Sequence, residues 1–387
     1  MMSNEIVIAG IGQIPVGEHW ELPLRALAYR AMRDAIADAG GLKPQALYAG
    51  NMLSPTLSRQ AHLATLLADN AGLTGIEAAT IEAGGASGGA ALRQGYLAVL
   101  SGFVDVALVV GVEKFTDVVG PAVEAALATT TDSDYEAVQG MTPTAQAALL
   151  MRRYLHEYSV PADGLAGFPL VAHANGVGNP NAMFRKAIKP EAYAGAEMIS
   201  DPLNLFDVAP VADGAAAVIL TRESALPKGF DRPLVRIAAS TASSDTLALH
   251  DRRDLLSFDP VRISTERALE KAGLSPEEID LLEYHDAYSI FAALSLEAAG
   301  FAQRGEGWKL AAEGKIARDG QIPCATMGGA KARGNPGGAT GVYQAVEAAT
   351  QLRGKAEANQ IAGAKTALIQ CLGGPASTAV THILLRY

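Results

Sequence analysis

The stretch Glu82–Leu92 reads EAGGASGGAAL, and a near copy, GGATGVYQA, returns at Gly337–Ala345. Each Gly-Gly-Ala-[Ser/Thr]-Gly loop opens an apolar, helix-like run. A glycine-rich turn feeding a helix lets ligand atoms approach the backbone closely, and its free N–H groups favour negative charge. The same composition also serves close packing of a helix on a sheet, where only small residues fit. Neither loop matches a phosphate-binding lysine motif or a dinucleotide fingerprint.

Outward from the loops, the flanking segments repeat in one order. Arg33–Pro44 (RDAIADAGGLKP) is echoed by Arg267–Pro276 (RALEKAGLSP): a helix, an Ala-Gly turn, then Leu and Pro. A glycine loop follows in both places, which indicates duplicated halves. Glu5–Ile11 (EIVIAGI) and Val104–Val112 (VDVALVVGV) read as buried strands, and Leu24–Ala39 as a helix stopped by Gly40-Gly41. Alternating strands and helices predict an α/β sheet covered on both faces. The joint is expected near Thr221–Pro233 (TRESALPKGFDRP), dividing the chain into residues 1–225 and 226–387. Residues from about Thr116 to Pro202 break the pattern with Pro, Asn, Tyr and His, and are expected to form a loop insertion that carries substrate contacts.

Composition narrows the class. The 387 residues are 49% hydrophobic and 19% charged, enough for a large core and against global disorder. A net charge of −10 without a long basic run argues against a nucleic-acid surface. Two cysteines, Cys324 and Cys371, make no disulfide framework and fit a reducing compartment. No signal sequence or membrane-length apolar stretch is visible, so a cytoplasmic protein is expected. No metal site and no permanently bound cofactor are expected.

Three further segments carry chemistry: Glu283–Ile290 (EYHDAYSI), Gly328–Gln344 (GGAKARGNPGGATGVYQ) and Cys371–Thr381 (CLGGPASTAVT). With VVGVEKFTD at Val109–Asp117, NPNAMFRK ending at Lys186, and DPLNLFDVAPVADGAAAVIL at Asp201–Leu220, they make the chain resemble the thiolase superfamily, most closely its archaeal and sterol-carrier-protein types. The resemblance implies duplicated α-β-α-β-α layers, two similar five-stranded halves and an inserted loop domain. It also implies a homodimer, a coenzyme A thioester as substrate, and for close relatives a small zinc-ribbon/OB-fold partner protein.

The departures from the family pattern matter most. The position of the family's nucleophilic cysteine matches Gly85, which cannot form an acyl-enzyme. The space so vacated is expected to admit a bulkier substrate branch. Ser87, two residues on, is a poor substitute with nothing nearby in sequence to activate it. Cys371 matches the second, acid/base cysteine of biosynthetic thiolases, or else packs as a small apolar group. Cys324 falls on an apolar family position and reads as core.

His285 matches the histidine that helps bind the thioester oxygen, with Asp286 following as the family pattern expects. Asn335 stands where the family usually has a second histidine; its amide donates hydrogen bonds but is no base near neutral pH. The backbone N–H groups of Gly85 and Gly373 match a second oxyanion hole. Tyr288 and Tyr343 either supply a proton or pack as aromatic rings with a bonded hydroxyl. His173, in the insertion, reads as structural.

The favoured reading is an acyl-CoA enzyme that cleaves or forms a carbon–carbon bond through a thioester enolate, of retro-aldol type, without a cysteine acyl-enzyme. Thiolase-like aldolases, resembled more loosely, show a similar loss of the cysteine. A non-catalytic acyl-CoA-binding subunit and a degenerate acetyl-CoA acyltransferase are the alternatives.

Overall fold

The computed structural model describes residues 5–387. Strand β1 (Ile6–Gln13) is followed by β2 (Ala46–Gly50), β3 (Glu77–Ile81) and β4 (Val106–Glu113). A two-stranded ribbon, β5 (Met198–Ser200) and β6 (Leu203–Asn204), precedes β7 (Gly214–Arg222). The later part contributes β8 (Val235–Ser244), β9 (Leu281–Glu283), β10 (Thr366–Gly373) and β11 (Thr378–Arg386). All but the ribbon form one mixed sheet in the order β3-β2-β4-β7-β1-β8-β11-β10-β9. β2 runs parallel to β3 and β4, while β7 is antiparallel to β4 and β1. On the other side β10 is parallel to β9 and antiparallel to β11. β1 and β8 join the two sides through Val7↔Arg236 and Ile8↔Val235.

The sequence echo has a structural counterpart. Helix Leu24–Asp38 ends where Gly41 N–H bonds back to Ile36 O, and helix Asp259–Ala272 ends where Leu274 N–H bonds back to Leu269 O. Both are glycine-stopped helix ends that return the chain toward the sheet. Helices Leu24–Asp38 and Leu63–Asn70 cover one outer face, and Asp259–Ala272 with Ser289–Ala298 cover the other. Between the two sides lie the helices Ser87–Ser101 and Thr340–Leu352. This gives three helix layers and two β layers, the expected α/β arrangement.

One expectation needs correction. The later half has four strands rather than five: a single bridge, Leu282↔Cys324, occupies the fifth place. Donors around it are used elsewhere, since Cys324 N bonds Ile316 O and Thr326 N bonds the Glu283 carboxylate. The insertion carries helices between its loops. It folds into helices Pro121–Ala128, Pro143–Glu157, Gly167–Gly176 and Pro190–Ala194. Ala147, Leu150, Met151, Tyr154 and Phe168 pack it onto the later half around Phe291 and Leu294.

The two glycine loops meet face to face. A Cβ on Gly88 would lie 2.8 Å from Gly338 O, and one on Gly341 only 2.3 Å from Gly89 N. No side chain fits between these helix starts, so close backbone packing requires glycine there.

Candidate active site

A cavity of about 270 Å³ opens between the insertion and the junction of the halves. Four segments meet there: the first glycine loop at Gly85, the turn Ala287–Tyr288 after β9, the Asn335–Gly337 turn, and the end of β10. The insertion closes it with Glu124, Leu127 and Thr144. Met52, Phe115, Val211 and Phe291 make much of its wall apolar.

His285 lines this cavity and is only 5% exposed. Burial, helped by the Arg333 charge, lowers its pKa to about 4, so the ring is neutral near pH 7. Its Nδ1 is buried without a partner among the described residues, while Nε2 lies 3.3 Å from the place a Cβ on Gly85 would occupy. Asn335 is fixed by its backbone, donating to Pro210 O at 2.9 Å and accepting from Ala212 N at 3.1 Å. Thr340 Oγ1 donates to its Oδ1 at 3.2 Å, which leaves the amide NH2 free of protein partners among the described residues. The Tyr288 hydroxyl pairs with Thr144 Oγ1 at 3.0 Å. Burial pushes its pKa up to about 12, so it is a phenol that donates.

Gly85 forms the cavity wall on the loop side. A Cβ there would lie 2.7 Å from Leu372 O and 3.0 Å from His285 Cε1. The expectation of vacated space is therefore wrong: the Leu372 carbonyl and the imidazole fill it. Ser87 is turned inward, donating to Gly84 O at 2.6 Å and accepting from Ala83 N at 2.9 Å. Gly373 lies immediately behind Gly374, which lines the cavity, and its own Cα faces Ala83 O.

The remaining candidates lie elsewhere. Cys371 is fully buried on the inner face of β10 between Gly89 and Gly341, and its thiol donates to Gln344 Oε1 at 3.0 Å. Burial pushes the thiol up to about 12. It does not line the cavity, because strand alternation turns Leu372 that way instead. Tyr343 is also fully buried, its hydroxyl donating to Ile14 O at 2.8 Å and its ring 5.2 Å from the Arg333 guanidinium carbon. Cys324 is core, as expected. His173 is buried beside a different cavity. The Asp286 carboxylate turns away from the cavity to accept from Ala330 N at 2.7 Å, holding the segment Glu283–Ile290 to the segment Gly328–Gln344.

Two acidic residues were not singled out in the sequence. Glu124 is the one carboxylate among the cavity-lining residues; nothing in its local sequence marks it, since only the insertion's fold brings it there. Glu113 is fully buried and accepts from Met52 N, Leu53 N, Asn51 Nδ2 and Gly338 N at 2.9–3.1 Å. Burial raises its pKa to about 7 despite those donors. It ties three loops of the site together, and its signal was its place inside VVGVEKFTD. Among the described residues, no group of three or more His, Cys, Asp or Glu could hold a metal ion. No helix there is long and apolar enough to cross a membrane.

Comparison with known proteins places the chain. Residues 6–224 match the family model "Thiolase, N-terminal domain", and residues 241–386 match "Thiolase C-terminal domain-like". An acetyl-CoA acetyltransferase of Methanothermobacter thermautotrophicus is 41% identical over 99% of this chain and 100% of its own length. A 17-hydroxy-3-oxo-4-pregnene-20-carboxyl-CoA lyase of Mycobacterium tuberculosis is 27% identical over 95% of this chain and 96% of its own. In three dimensions the fold is shared with the Ltp2-ChsH2(DUF35) aldolase, with a TM-score of 0.83 at 24% identity, covering 100% of this chain and 99% of that one. With both halves matched in order and a full-length relative at 41% identity, the chain belongs to the thiolase family.

Proposed function

We propose that this protein binds a β-hydroxyacyl-CoA thioester and cleaves its Cα–Cβ bond in a retro-aldol step without an acyl-enzyme. The observation that carries the reading is one cavity lined together by the His285 ring, Asn335, Tyr288 and the bare backbone of Gly85, with the imidazole beside Gly85. Those groups suit an oxygen that becomes negative, and none is a cysteine or serine. The lyase and aldolase relatives give the reaction class a precedent.

In the proposed step the thioester oxygen accepts hydrogen bonds from Asn335 Nδ2 and the neutral His285 ring, with the Gly85 and Gly373 N–H groups as further donors. The β-hydroxyl gives its proton to Tyr288 as the phenol passes its own to the Glu124 carboxylate. The Cα–Cβ pair moves into the thioester, forming the enolate and releasing a carbonyl compound. The proton held on Glu124 then returns to Cα, leaving a shorter acyl-CoA. Atoms and charge balance, and no co-reactant is consumed.

The 41% identity to a named acetyl-CoA acetyltransferase favours a second reading, thiolysis through an acyl-enzyme. Peptide mass spectrometry after incubation with acetyl-CoA separates the two. The aldolase reading expects unchanged mass together with cleavage of some member of a β-hydroxyacyl-CoA panel. A covalent acyl adduct overturns it, and failure of the whole panel with any accessory protein present leaves an acyl-CoA-binding subunit. A homodimer and a small accessory subunit belong to the same proposal; the name of the aldolase neighbour joins Ltp2 to ChsH2(DUF35).

A further inference from the structure

A second cavity, of about 450 Å³, lies across the strap Val208–Pro210 from the candidate site; these three residues line both. Its wall is apolar, built from Phe184, Ile188, Ile199, Leu205 and Phe206. Phe184, Ile199 and Leu205 are 40, 48 and 54% exposed, so the mouth opens to solvent. Large apolar side chains clustered this way mark a binding surface.

The lining also holds two buried basic side chains, Lys331 and His173. Lys331 Nζ donates to Asp207 O at 2.9 Å and Phe206 O at 3.3 Å, which occupies two of its three N–H groups. The His173 ring sits 6.0 and 5.8 Å from the Phe184 and Phe206 rings. Its Nδ1 is 3.4 Å from Lys186 O, and its Nε2 has no protein partner among the described residues. Burial lowers the Lys331 pKa only to about 8, so it is still cationic near neutral pH.

We propose that this second cavity is a ligand site for a medium-length aliphatic or aromatic monocarboxylate, with its apolar body against the Phe and Ile wall and its carboxylate toward Lys331 and His173. The strap separates such a ligand from the candidate site. Ala209 N bonds Ala287 O at 2.8 Å, Val208 bridges Tyr288, and Asn335 N bonds Pro210 O at 2.9 Å. The bound acid therefore braces the segment that positions Tyr288 and Asn335. That consequence for turnover rests on the acyl-CoA reading; the binding itself does not.

Calorimetric titration of the full chain with decanoate and with decanol tests the site. Decanoate should bind one per chain and decanol at least ~10-fold more weakly, the difference expected of one charge-assisted hydrogen bond. Ile199→Glu, a change at the exposed rim, should weaken decanoate by ~10-fold or more through lost apolar contact and like-charge repulsion. The variant's coenzyme A affinity and thermal unfolding should stay unchanged. Absent decanoate binding, equal affinity for decanol, or undiminished binding in Ile199→Glu overturns the proposal. So does competition between decanoate and an acyl-CoA, which would assign the cavity to the substrate site. A chain that binds decanoate but no acyl-CoA supports this site while sinking the functional reading.

Discussion

His285 and Cys371 were both candidates by motif, and their surroundings separate them. A neutral imidazole on the cavity wall can hold an oxygen as it gains charge, and removing such a donor costs ~10²–10³ in rate. His285→Ala should therefore lose turnover on a β-hydroxyacyl-CoA by that factor while coenzyme A affinity, measured calorimetrically, changes by less than ~3-fold. Equal turnover would mean that the imidazole does not touch the thioester oxygen. Cys371 is packed between two glycines with its thiol given to Gln344. We expect Cys371→Ser to keep turnover within ~3-fold, since loss of a working general acid costs ~10²–10⁴. Steady-state rates on the folded variant decide this. Motif position alone could not distinguish the two residues, because the direction of a strand side chain depends on register.

At the scale of elements, β11 and the first buried helix meet through His382. Its Nε2 is 3.1 Å from Gly89 O, and burial lowers its pKa to about 4. The folded protein thus keeps this ring neutral between about pH 6.5, where the unfolded chain takes up the proton, and about pH 4. Stability from this residue is full above pH ~6.5 and falls as the pH drops through that window. Compared with His382→Gln, which cannot titrate, wild type should lose about 2–3 kcal/mol between pH 7 and pH 4. Denaturant unfolding of both proteins across that range checks the difference, and parallel pH curves would refute it. The glycine loops show how far such contacts were legible. Their sequence offered a ligand cradle or close packing, and the close packing occurs. Gly85 and Gly337 line the cavity, while Gly88 and Gly341 bring the two helix starts into backbone contact.

For the whole molecule, β3 is an edge strand, paired among the described strands only to β2, and much of it is accessible. Leu100 and the 92% exposed Phe103 stand at the end of the helix that packs on it. Open strand edges and exposed apolar side chains both favour pairing with another chain, and we expect a stable homodimer at micromolar concentration. Light scattering reading the mass of one chain would overturn that. The sequence by itself determined the layered α/β fold, because helix-stopping glycines, buried strand runs and the repeated loop are local patterns that each half satisfies within a few dozen residues. It also placed His285, Asn335, Tyr288 and Gly85 as candidates, since each sits in a short motif. Only the tertiary structure decided which of them share a cavity and that Gly85 leaves no empty space. It also decided that Glu124 joins them and Cys371 does not. Those facts depend on contacts between residues far apart in the chain, set by how the insertion packs on the opposite half and by which way each strand residue turns.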